Sequence, residues 1–298
     1  MRHHQIIGEH QIYRNRFTRF NWSNLVFRQT LLVLASIVLS FSTTQSQSHP
    51  VGSDHSAAVS SSLPRSPFIA GERLSYDVSW ADFIVAGELT IQTDERRSFD
   101  GIDGFHVTAQ ARTVGLVSGL ALKVNDVYDS FINASNLQPF RAEKHSRHGK
   151  KQAQSSVVID QEHRTARVAN GRTLEIPPDT YDIAGLIFAI RGMDLTLGKV
   201  RTLTVLEDEK LYTIKVQPES RERITTRTGN FDTVKIATTM VRGKENDKLY
   251  NLRMYITDDA RRLPVLITAE PSWGSVRVEL TSATPAPVPQ KPAPKTRG

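Results

Sequence analysis

None of the 298 residues is cysteine, so the chain has no disulfide framework, no thiolate metal site, no cysteine nucleophile and no anchor acylated on cysteine. The formal charge of +7 suggests a nucleic-acid binder, but residues 1–48 carry five Arg against one Glu (+4) and Lys291, Lys295 and Arg297 add +3. The stretch between these ends is near neutral, which argues against the basic surface that nucleic-acid recognition needs.

In chain order, Arg2, Arg14, Arg16, Arg19 and Arg28 precede the apolar block Leu31–Phe41, and the small polar run Ser42–Ser48 follows it. A positive segment, an apolar segment of about ten residues and a small-residue cleavage zone make a secretory signal peptide, predicted over 1–48. A retained anchor fits less well, because a spanning helix needs about 20 apolar residues and Arg28 interrupts any backward extension. The expectation is export to the periplasm, or another extracytoplasmic compartment of a bacterium, with no transmembrane span once the signal is cleaved. Residues 49–66 form a polar spacer without hydrophobic period.

A single β-rich domain is predicted over 67–283, where the dominant period is two. Leu74, Tyr76, Val78 and Trp80 alternate with polar or small residues, as do Val85, Gly87, Leu89 and Ile91. The same spacing recurs from Phe105, from Val157, from Leu203 and from Tyr212. It returns in Thr233–Ile236, Leu252–Ile256, Val265–Ile267 and Val276–Leu280. Turn signals such as Asp100-Gly, Asn170-Gly and Thr228-Gly-Asn separate these runs, so short antiparallel strands joined by hairpins are expected. The segment Thr113–Leu122 is glycine-rich and apolar; it reads as a buried crossover, or as a mobile flap beside a pocket.

One segment breaks the period. After Pro177-Pro178, residues Ile183, Leu186, Ile187 and Ile190 fall at i, i+3, i+4 and i+7, an apolar helical stripe with Arg191 outside it. Asp179 or Thr180 can cap this helix, Gly192 can end it, and Gly185 marks a close backbone contact. The fold class is therefore mainly β: a curved antiparallel sheet, half-barrel or barrel-like, with one packed helix around 180–191. A sandwich and a closed barrel with the helix at one mouth are the alternatives. Residues 284–298 have proline at nearly every second position and read as a disordered polyproline tail.

No constellation of side chains reads as catalytic. His145 and His148 could share a zinc ion only if they stood on a helix. The run His148-Gly-Lys-Lys places them instead at a cationic hairpin tip. Asp126, Asp129, Asp258 and Asp259 could offer paired carboxylates, but they read as strand-end and turn residues. No Gly-x-Ser-x-Gly elbow occurs. Tyr76, Trp80, Tyr255 and Trp273 are strand aromatics that pack a core or line a cleft.

Several phrases, taken in order, carry a resemblance: Gly71-Glu-Arg-Leu-Ser-Tyr-Asp-Val-Ser-Trp80, the Ala86-Gly87 strand, Val124–Ser130 and Met254–Ile267. Together they resemble an uncharacterised family of exported bacterial proteins, domain of unknown function 3108, over roughly Phe68 to Ala283. The resemblance implies an envelope protein rich in antiparallel strands, and it brings no activity and no functional residues. More loosely, the architecture is similar to the half-barrel of periplasmic lipoprotein carriers, a likeness of fold alone.

The resulting expectation is a non-enzymatic binder of a hydrophobic or amphipathic ligand, such as a lipid or acylated molecule, that uses no cofactor, no metal and no nucleic acid. An interaction module that engages another envelope protein is the alternative, and a cell-wall glycan hydrolase comes third. Trp80, Leu116, Val117, Leu120 and Leu186 are the expected ligand-binding residues.

Overall fold

The computed structural model describes residues 69–80, 84–120, 123–241, 248–270 and 274–284. The expected signal peptide, the spacer, the tail beyond Thr284 and Trp273 lie outside the described residues.

Among the described residues, sixteen strands form one sheet. The first nine are β1 (Arg73–Trp80), β2 (Ile84–Thr93), β3 (Arg97–Phe99), β4 (Ile102–Thr113), β5 (Val124–Asn133), β6 (Pro139–His148), β7 (Lys151–Asp160), β8 (Thr165–Val168) and β9 (Thr173–Glu175). The rest are β10 (Thr180–Tyr181), β11 (Arg201–Glu207), β12 (Lys210–Thr226), β13 (Gly229–Val241), β14 (Lys248–Thr257), β15 (Pro264–Ala269) and β16 (Val276–Thr284). A short helix α1 (Gly115–Leu120) follows β4, and helix α2 (Ile183–Gly192) follows β10.

The sheet is a meander in which each strand pairs antiparallel with a neighbour, except that β10 runs parallel to β11. Its first and last strands also meet, with Tyr76 opposite Leu280 and Val78 opposite Val278. The strand order therefore runs from β10 through β16, then β1, and on to β9, with β3 attached to β4 alone. It ends at β9 on one side and β10 on the other, so the expected curved, barrel-like antiparallel sheet is present and is unclosed.

The alternation supplies the core. Residues two apart on a strand share a face, and the shared face of β1 (Leu74, Tyr76, Val78), β13 (Val234, Ile236) and β16 (Val276, Val278, Leu280) is buried in one cluster. Ala184, Phe188 and Ile190 of α2 belong to the same cluster, so the sheet curves around this helix. An isolated helix of this length is marginal in water, and its stability comes from that enclosure.

Two details of α2 correct the sequence reading. The cap is Asp182, whose side chain accepts a 2.5 Å hydrogen bond from the Gly185 amide, because Thr180 and Tyr181 are already committed to β10. Asp179 takes a left-handed φ of 54° in the turn before them. Gly185 does mark a close approach: a Cβ there would lie 2.7 Å from the capping Asp182 oxygen. The buried face also differs from the predicted stripe. Ile183, Leu186 and Ile187 are only half-buried, whereas Ala184, Gly185, Phe188, Ile190 and Arg191 are buried.

Arg191 goes inside because its charge is met there. Its Nη1 donates to Glu72 Oε2 at 2.7 Å, and its Nη2 reaches the Arg261 carbonyl at 3.0 Å. Arg261 Nη2 donates to the other Glu72 oxygen at 3.2 Å. Arg262 Nη1 in turn donates to the Arg191 carbonyl at 2.9 Å, satisfying an orphan acceptor at the helix end. This cluster ties the start of β1, the end of α2 and the β14–β15 turn into one unit.

Candidate functional site

The unclosed seam between β9 and β10 is bridged by side chains. Ile159, Ala166 and Ile176 from one side pack against Leu206 of β11 from the other. Gln161 Nε2 donates to the carbonyls of Pro139 (3.2 Å) and Thr180 (2.7 Å), and Gln138 Nε2 donates to Asp179 at 2.9 Å. At the other end Lys144 of β6 meets the β11–β12 hairpin, with Nζ 2.5 Å from Glu207 and 3.1 Å from Asp208.

Behind this bridge lies a cavity of about 270 Å³, close to the lower end of the roughly 300–1,000 Å³ typical of small-molecule sites. Tyr128, Val157, Val168, Ile183, Ala184 and Leu206 supply its apolar wall, and Lys144, Asp182, Glu207 and Asp208 its polar one. The polarity begins on β5. Asp126, Tyr128 and Ser130 stand at the same parity as the core residues Val124 and Ile132, and all are buried. Lys144 sits opposite Tyr128 in the ladder, with Nζ 5.2 Å from the ring centroid. Nearby, His148 Nε2 lies 2.9 Å from Asp126 Oδ1.

Burial raises two of these acids. The Asp182 carboxyl is pushed up to about 6, against the hydrogen bond from the Gly185 amide. Glu207 is pushed up to about 7 by burial, against the attraction of Lys144. Burial also works against the Lys144 ammonium, yet Glu207 and Asp208 outweigh it and hold Lys144 above the usual lysine range.

On the outer face His106 is held from both sides. Its Nδ1 lies 2.8 Å from Asp94 and its Nε2 2.8 Å from Asp129, which also lines the cavity. The ring stacks on Phe131 at 4.7 Å between centroids, and the Arg141 guanidinium lies 3.8 Å from the Phe131 centroid. The hydrogen bond to Asp129 raises the His106 pKa, with burial opposing and Asp94 adding to it. A raised imidazole pKa stabilises the fold fully below the unfolded value, about 6.5, and the contribution is lost as pH rises through the folded value. Parent protein should therefore exceed a His106→Gln variant by more at about pH 5.5 than at about pH 9 in chemical denaturation. A difference independent of pH would mean that folding leaves the imidazole pKa unshifted.

Of the sequence-predicted site residues, Trp80 and Leu186 have described side chains, and both lie away from the cavity. Trp80 ends β1, where Gly274 packs so closely that a Cβ would fall 2.6 Å from the indole nitrogen. Leu186 is half-buried on α2 and packs on the core. Neither Trp80 nor Leu186 lines the seam cavity. Leu116, Val117 and Leu120 lie on α1, so the apolar segment forms a short helix after β4, and their side chains lie outside the described residues. His148 does flank the expected hairpin tip, opposite Lys151, but both histidines lie on β6; three residues apart on a strand, they point to opposite faces and cannot share an ion. Among the described residues no group of three His, Asp or Glu side chains could hold a metal. Asp259 is a turn residue that accepts from the Arg261 and Arg262 amides at 2.9 and 3.0 Å.

A family model described as a protein of unknown function (DUF3108) matches residues 75–281. The chain belongs to this family. The match spans the sheet from β1 to β16 and includes every residue that lines the seam cavity. No curated protein matches the sequence. Among solved structures, the chain is similar to a beta-barrel-like protein of domain of unknown function DUF1849 from Brucella abortus. That pair has a TM-score of 0.50 at 9% identity and covers 74% of this chain and 99% of the other. A candidate lipoprotein from Parabacteroides distasonis has a TM-score of 0.34 at 10% identity, covering 74% and 97%. A candidate exported protein with a YmcC-like fold from Bacteroides fragilis has 0.31 at 12% identity, covering 74% and 99%. At these identities the first likeness speaks for the barrel-like fold alone. Among the described residues no helix is long and apolar enough to cross a membrane.

Proposed function

We propose that this member of the family is an exported cell-envelope protein that holds an amphipathic molecule, a lipid or another acylated compound, at the seam of its sheet. The observation that carries this reading is a barrel interior with two unlike walls. One is the apolar cluster around α2, and the other is the polar strip of β5, β6 and β11 that meets it in the seam cavity. An acyl chain suits the first wall, and a polar head suits Lys144 and the carboxylates. The signal-like N-terminus supports export, since a carrier of this kind works among membranes.

Native mass spectrometry of the protein purified from its own envelope tests the reading. An acyl-bearing adduct should accompany the parent and be depleted in Val168→Trp, which fills the cavity. Parent protein that is free of any adduct under gentle ionisation would overturn the proposal.

A further inference from the structure

We propose that the acidic tip of the β11–β12 hairpin is a latch on the open seam, and that its release admits the apolar chain of an amphipathic molecule to the cavity. This inference rests on the amphipathic reading above for the identity of what passes, but the latch itself does not.

Three observations converge on the tip. First, each of its acids grips the far side of the seam. Glu207 and Asp208 hold Lys144, while Glu209 pairs with Arg172 and accepts from Asn170 Nδ2 at 3.4 Å. Second, the turn is strained. A two-residue hairpin of this kind needs positive φ at both central positions and is usually Asn-Gly. Here Asp208 and Glu209 bear φ of 43° and 63°. Such conformations persist where the surroundings enforce them, and they cluster at sites that move. Third, Glu207, Asp208 and Glu209 all line the cavity, so displacement of the tip uncovers it.

The mechanics follow from the connections. At one end the two sheet edges are joined by only four residues, 176–179, with Pro177-Pro178 among them and Gln161 bridging across. That end is the hinge. Among the described residues no backbone ladder crosses the seam at the tip, and three adjacent carboxyls repel one another once their cations let go. The latch therefore has a held state and a released state, and salt favours release.

The absence of cysteine allows a direct test. Ala142→Cys places a single thiol in the cavity wall, and its rate of alkylation by uncharged iodoacetamide reads the opening of the seam. Leu197→Cys, exposed on a loop, serves as the control. Alkylation at residue 142, relative to the control, should speed up several-fold between about 0.01 M and about 1 M salt, as the Debye length falls from about 30 Å to about 3 Å. At low salt, Glu209→Gln in the same background should accelerate it by up to about fivefold with the melting temperature nearly unchanged, since an exposed pair contributes little to global stability. Rates indifferent to both salt and Glu209→Gln would overturn the latch. The uncharged probe N-phenyl-1-naphthylamine, mixed with the same proteins, separates the two ideas. Uptake that quickens in Glu209→Gln supports both. Salt-sensitive alkylation without probe uptake supports the latch and overturns its role in admitting apolar chains.

Discussion

Replacing Arg191 by alanine should cost the domain about 3–5 kcal/mol, because it leaves the buried Glu72 carboxylate without its main partner. Arg191 is wholly inaccessible and Glu72 is 1% exposed, so neither group can turn to water for compensation. Arg261 is partly exposed and makes a single 3.2 Å contact with Glu72, too little to stand in for the lost guanidinium. The loss should appear as a lowered midpoint in chemical denaturation. The double variant Glu72→Leu with Arg191→Met should recover much of it, since a buried pair replaced by apolar groups of similar volume is often nearly neutral. A loss below about 1 kcal/mol for Arg191→Ala would mean that the pair is hydrated in solution.

Phe188→Ala should be comparably damaging, at about 3–5 kcal/mol. Its ring is 1% exposed at the centre of the cluster that α2 shares with the sheet, and the Arg191 guanidinium carbon lies 5.0 Å from its centroid. Its removal leaves a hole that a closely packed interior cannot collapse. Leu186→Ala should cost clearly less, because Leu186 is only half-buried beside the core. Denaturation of the two variants side by side checks the orientation of the helix. Greater damage from Leu186→Ala would restore the stripe that the sequence suggests and rotate the helix away from the arrangement described here.

The contrast between these residues shows what a sequence reveals. The strands were readable because alternation is local: Leu74, Tyr76 and Val78 carry their burial in their own spacing, as do Val276, Val278 and Leu280. Gly185 announced a close contact because few other reasons place glycine in a helix. Arg191 was illegible because its partner Glu72 lies 119 positions away. A lone arginine next to an apolar stripe reads as the solvent side until that partner is known. The seam cavity hid for the same reason, since Lys144 and Glu207 are 63 positions apart. One signal was present on β5, where Asp126, Tyr128 and Ser130 share parity with Val124 and Ile132. The opposite parity of the same strand carries Val127 and Phe131, equally apolar, so the pattern alone left the inward face undecided. Trp80 drew attention as a large strand aromatic, yet its surroundings include a glycine backbone nearly 200 positions later, which no local pattern foretells.

The pairing of β1 with β16 has a consequence for how the chain is made. A polypeptide made amino end first delivers β1 early and its second neighbour, β16, last among the strands of the sheet. Until β16 arrives, the exposed flank of β1 and that of β15 are bare edges, able to pair with any extended segment nearby. Such long-range pairings also close large loops and form slowly. The sheet can thus be completed only once β16 is available, and its vulnerable interval is set by the time this nine-residue strand takes to emerge.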